Sequence, residues 1–214
     1  MDEYKEIVDK YSLDGYYMYS KTITRAEWGD ISAGKKFLDK YWLPLSEYNE
    51  KIKLIQDVIF INQIDGIPKL SFSKEYEILA LGGGCLFTKE DFTWLQECIL
   101  EIGEKNFFII ENDFGGTLEE PSFKMKFPAN ISWEEFYSGN FVSSTIIESI
   151  HKEFFVFGES ALWGKYSAAD YEYPLDILGF KPEYRTIFEK RFSQTEVERG
   201  EIQKCLPYLF KDVR

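Results

Sequence analysis

Lys105-Asn106-Phe107-Phe108-Ile109-Ile110 and Lys152-Glu153-Phe154-Phe155-Val156-Phe157 are the two stretches on which the fold turns. Both are short apolar runs rich in aromatic and β-branched residues, the composition of buried strands. Successive side chains of a strand point to opposite faces, so each Phe-Phe pair places a ring on both sides of a sheet. Both faces must then be covered. Helices are the usual cover, and an aromatic groove open to a ligand is the other arrangement that satisfies the pattern.

Each stretch follows a helix with a start signal. Thr88-x-x-Asp91 precedes Phe92, Leu95, Ile99 and Ile102 at helical spacing, with Cys98 on the same apolar side. Ser132-x-x-Glu135 precedes a helix with Trp133, Phe136 and Tyr137 inside. A capped helix feeding an aromatic strand thus occurs twice, which reads either as a duplicated unit in one sheet or as a coincidence in so aromatic a chain.

Around these units, Tyr76 to Leu81 is strand-like, and Phe123-Lys124-Met125-Lys126-Phe127 alternates as a half-exposed strand with its lysines outward. Helical patterns occupy the first residues, where Tyr4, Ile7, Val8 and Tyr11 recur, and Ser46 to Phe60, where Tyr48, Ile52, Ile55 and Ile59 form one stripe. Pro182 opens a last helical region and Ser193-x-x-Glu196 a further helix. The expectation is one α+β domain over 1–214, helical in 1–70 and sheet-forming in 76–180. Its sheet is mixed or mostly antiparallel and flanked by helices; a doubly wound α/β fold is the alternative.

Composition narrows the chemistry. The formal charge is -12, which repels nucleic-acid phosphates and anionic lipid, so direct nucleic-acid or membrane binding is not expected, whereas a basic protein partner would be attracted. With one histidine, His151, and three scattered cysteines, Cys85, Cys98 and Cys205, no metal site and no cofactor are expected, and the cysteines read as reduced thiols. The acidic first residues read as a surface helix and not an export signal, and no run approaches the roughly 18 apolar residues of a membrane span. A cytoplasmic protein follows.

Gly82-Gly83-Gly84 between a strand and a helix suggests a phosphate loop, but the spacing fits no dinucleotide or Walker pattern, and Glu90 and Asp91 occupy the helix start where an anion would sit. It reads as a turn. Glu111, Asp113 and Glu159 lie at the ends of the Phe-rich strands. Were they to converge at one sheet edge, they would equip a carboxylate-based hydrolase acting on a sugar or phosphoester.

The most distinctive stretch runs from Phe154 to Phe180. Asp170-Tyr171-Glu172-Tyr173 alternates acid and tyrosine, with Trp163 and Tyr166 on the approach to it, and such residues suit the surface that meets a basic protein. The opposing reading makes the tyrosines core. In size, charge and style the last third of the chain resembles small cytoplasmic bacterial immunity-type proteins of polymorphic toxin systems. That resemblance implies a protein that binds a toxin domain and blocks it, and carries over no functional residue. The leading expectation is a non-enzymatic protein-binding module, and the hydrolase is the alternative.

Overall fold

The computed structural model describes residues 31–60, 72–81, 87–112, 124–138, 153–168 and 175–192, together with Glu6 and Lys10. Six strands lie in one sheet: β1 (Glu77–Ala80), β2 (Asn106–Asn112), β3 (Lys124–Pro128), β4 (Glu153–Gly158), β5 (Trp163–Ala168) and β6 (Leu175–Phe180). Their spatial order is β1-β6-β5-β4-β2-β3, and every neighbouring pair is antiparallel. The fold is α+β, and the sheet falls within the 76–180 portion. A doubly wound fold, which needs parallel strands, is overturned by the register.

The two Phe pairs divide as strand geometry requires. Phe107, Ile109, Phe154 and Val156 enter one core, while Phe108, Ile110, Phe155 and Phe157 enter the other. Helices α1 (Ile31–Tyr41), α4 (Lys89–Glu101), α5 (Trp133–Ser138) and α6 (Arg185–Arg191) cover the first face through Leu38, Leu95, Phe136 and Phe188. A continuous helical segment covers the second: α2 (Leu45–Glu47), a π-helical turn (Tyr48–Ile52) and α3 (Lys53–Ile59). Helices therefore cover both faces. Tyr48, Ile52 and Ile59 are buried there and Ile55 packs against them, so the stripe holds despite the π turn.

The chain passes from the first face to the second around the edge of β3. Trp42 bridges Met125, and the Leu43 amide donates to the Lys124 carbonyl at 3.1 Å. This wrap corrects the expectation of outward lysines on β3. Lys124 is buried with its ammonium 5.1 Å from the Trp42 ring, and Lys126 is half-buried and paired with Glu47 at 3.0 Å. Alternation assigned the lysines to the face opposite Met125 and Phe127, but that face is itself covered.

The duplicated-unit reading gains support from register. β2 and β4 pair about Ile109↔Val156, the third residues of Phe-Phe-Ile and Phe-Phe-Val, and each strand then pairs outward with the next in sequence. The helices preceding them, α4 and α5, lie on one face, where the corresponding residues Phe92 and Phe136 stack at 4.8 Å. Two copies of a helix-strand-strand unit related by a local two-fold would be arranged in this way. Both start signals act as read: the Thr88 hydroxyl accepts from the Asp91 amide and the Ser132 hydroxyl from the Glu135 amide, each at 3.1 Å.

Opposite each other in β5 and β6, Gly164 and Gly179 notch the second face. A Cβ on Gly179 would lie 2.3 Å from the Phe72 ring, and one on Gly164 2.7 Å from Phe60. The notch seats the Phe60–Phe72 pair, whose rings are 5.0 Å apart. The N-terminal helical pattern and the one opening at Ser193 lie outside the described residues, apart from Glu6 and Lys10, which are helical.

Candidate functional site

β5 and β6 bring three polar side chains into the first core. Counting inward from the Ala168↔Leu175 pair, Ser167 stands opposite Asp176, and Lys165 follows one position further along the same face. All three are buried: Lys165 is 3% exposed, Ser167 2% and Asp176 4%. The Lys165 ammonium lies 3.1 Å from Asp176 Oδ1, the Ser167 hydroxyl donates to the same oxygen at 2.5 Å, and the ammonium is 5.1 Å from the Phe87 ring. Burial raises the Asp176 carboxyl above the usual carboxylate range, opposed by Lys165 and Ser167. With its side-chain oxygen engaged, this cluster is suited to fixing β5 against β6. The segment carrying Asp170, Tyr171, Glu172 and Tyr173 lies outside the described residues; it joins the strand ends that this cluster anchors.

Trp163 and Tyr166, expected on the interaction surface, are core. Trp163 is wholly buried on the first face; Tyr166 is buried on the second, its ring 5.6 Å from Phe155. A partner cannot touch them, because β5 is an inner strand with both faces covered. Trp163 instead belongs to a clamp on the β4–β5 turn. The buried Glu104 carboxylate accepts from Trp163 Nε1 at 3.1 Å, from the Ser160 hydroxyl at 2.6 Å and from the Ser160 amide at 3.1 Å. The turn contains Ala161 at φ 55°, a left-handed conformation unusual for alanine, and the Tyr76 hydroxyl donates to its carbonyl at 2.6 Å.

Of the hydrolase carboxylates, Glu111 and Glu159 do not meet. β2 and β4 are neighbours, as that reading required, but they are antiparallel: Glu111 pairs with Phe154, whereas Glu159 follows Gly158, the partner of Phe107. Five residues of strand, roughly 16 Å, separate the two levels. Glu159 accepts a hydrogen bond from the Asn106 side chain at 2.9 Å, at the opposite end of β2 from Glu111. Asp113 lies outside the described residues.

Among the described residues no group of three or more His, Cys, Asp or Glu could hold a metal ion. His151, Cys85 and Cys205 lie outside those residues, as does Gly82-Gly83-Gly84. Cys98 is free and buried, as its place on the α4 stripe implied; its thiol donates to the Ile187 carbonyl at 3.5 Å, and burial pushes its pKa up to about 12. No helix among the described residues is long and apolar enough to cross a membrane.

Two features escaped the sequence reading. One is the Lys165–Asp176 pair, whose signal is a pair of opposite charges, each in phase with buried residues of its own strand. The other is Tyr137, expected inside α5 but 37% exposed and stacked on half-buried Trp133, with ring centroids 5.2 Å apart. The helix α5 has six residues and meets the core through Phe136 and half-buried Trp133, which leaves Tyr137 at its outer edge. Comparison with protein families, with curated proteins and with solved structures finds no match to this chain.

Proposed function

We propose that the chain is a non-enzymatic protein-binding module for a basic partner, acting in the cytoplasm as an immunity-type inhibitor does when it binds a toxin domain and blocks it. The observation that carries this reading is the anchoring of the acid-tyrosine segment. Its flanking residues are held by the Ala168↔Leu175 pair, with the buried Lys165–Asp176–Ser167 cluster directly behind them. Fixed flanks are preorganised for binding, which lowers its entropy cost. The charge of -12 adds long-range attraction for a basic surface and opposes nucleic acid. Asp170, Tyr171, Glu172 and Tyr173 are the contact residues in this reading, and Trp163 and Tyr166 support them from the core. The separation of Glu111 from Glu159 gives the hydrolase alternative no support from that pair.

The test begins with the protein encoded by the neighbouring gene, produced as an isolated domain and titrated with this chain. Exchanging Asp170 and Glu172 for Lys should slow association and remove most of its salt dependence while leaving the melting temperature within a few degrees. Tyr173→Ala should weaken binding by about 2 kcal/mol. Unchanged association kinetics in the double exchange, or loss of folding with unchanged affinity in Tyr173→Ala, would refute this assignment of the contact surface.

A further inference from the structure

We infer that the stacked rings of Trp133 and Tyr137, with Glu134 beside them and the acidic start of α4 facing α5, form a docking surface for an arginine-rich segment of a partner protein. The inference rests on the reading of the chain as a binder of a basic partner and names a second surface for it. Tyr137 is the one aromatic among the large hydrophobic side chains that the described residues expose; the others are Leu54, Val58 and Leu100. It lies one helical turn beyond Trp133, its ring inclined 23° to the indole. Trp133 in turn packs edge-on against Phe92 at 5.4 Å, so the stack is founded on the core and presents itself already ordered.

Charge selects the occupant. Glu134 stands between the two rings in sequence with its side chain 72% exposed, and its ion pair is with Lys89, itself 65% exposed, at 3.0 Å. So exposed a pair adds little to stability and can exchange its cation for that of a partner. The start of α4, which faces α5 across the Lys89–Glu134 pair, adds Glu90 and Asp91 to Glu134 against Lys89, whereas Glu135 points away to Lys40 and the Tyr41 hydroxyl of α1. The excess is acidic. An aromatic face beside carboxylates matches a guanidinium better than an ammonium: the planar cation stacks on a ring while its fork donates two hydrogen bonds to a carboxylate. Lysine lacks the planar face and the fork, so arginine should be preferred over lysine at equal charge.

Fluorescein-labelled octa-arginine and octa-lysine, titrated with the intact chain at about 0.15 M salt and read by anisotropy, test this. Octa-arginine should bind at least about threefold more tightly than octa-lysine, and Tyr137→Ala should remove that preference. Glu134→Gln, a surface change that cannot unfold the chain, should weaken octa-arginine by a similar factor, with melting temperatures confirming that both variants are folded. Equal affinity for the two peptides, or an arginine preference untouched by Tyr137→Ala and Glu134→Gln, overturns the docking surface. If that preference is instead abolished by exchanging Asp170 and Glu172 for Lys, the binder reading stands and this surface falls. Failure of both peptides to bind overturns the reading and the surface together.

Discussion

Replacing Lys165 with Met tests what the buried cluster between β5 and β6 does. The side chains of Lys165 and Asp176 are each no more than 5% exposed, so removing the ammonium leaves a carboxylate in the core with Ser167 as its remaining polar partner of the three. Breaking a buried pair in this way costs about 3–5 kcal/mol. For a chain of this size each kcal/mol moves the melting temperature by about 2–4 °C, so a fall of roughly 6–20 °C is expected. Asp176 is already raised by burial, and loss of Lys165 raises it further. A carboxyl raised in the folded state contributes stability that is full below its unfolded value of about 3.9 and lost as pH rises through the folded value. The deficit of Lys165→Met should therefore be smaller at pH 5 than at pH 8. The triple variant Lys165→Met, Ser167→Ala, Asp176→Leu removes all three polar groups together and should return to within about 1 kcal/mol of the parent or exceed it, since the desolvation cost disappears along with the pair. Thermal and urea melts of the variants at both pH values supply the cycle. A loss under 1 kcal/mol in the single variant, or a triple variant as unstable as the sum of its parts, would refute the picture of a dry, mutually dependent cluster.

Gly179→Ala should destabilise by about 1–3 kcal/mol, because the new methyl meets the Phe72 ring at 2.3 Å; urea melts measure it, and a neutral result would mean the notch does not seat that ring. Glu104→Gln should cost about 1.5–3 kcal/mol and shift Trp163 fluorescence, since an amide cannot accept all three hydrogen bonds now made to the carboxylate. Cys98 should resist iodoacetamide at pH 8 in the folded chain and react once urea unfolds it, as mass spectrometry of the Cys98 peptide would show; rapid native labelling would contradict its burial and raised pKa.

Much of this architecture could be read from residue order because the relevant signals are local. Thr88 and Ser132 mark helix starts by a hydroxyl three residues from an acceptor-bearing side chain. Phe107-Phe108 and Phe154-Phe155 demand a sheet covered twice. What escaped depends on partners distant in sequence. Helix α1 has only Phe37, Leu38 and Tyr41 buried among its described side chains, too short a stripe to register, and its place is fixed by the Phe127 ring of β3 and a carboxylate of α5. On β5, Lys165 and Ser167 break the apolar run that would have announced a strand buried on both faces, and Asp176 on β6 offsets that break.

The same distinction explains why the candidate surface moved. Aromatic density near acids says that rings and charges coexist, but whether a ring meets water depends on the position of its strand in the sheet. Trp163 and Tyr166 sit on an inner strand, where helices cover both faces; Tyr137 sits near the end of a six-residue helix held to the core by Phe136 and the inner side of Trp133. A short helix anchored over one turn leaves the ring beyond that turn available, which places Tyr137 next to the exposed carboxylate of Glu134. Glu111 and Glu159 stay apart for the complementary reason. Convergence of Glu111 and Glu159 required parallel neighbours, and the reversal of β4 against β2, consistent with a local two-fold through Ile109 and Val156, sends the two acids to opposite ends of the sheet.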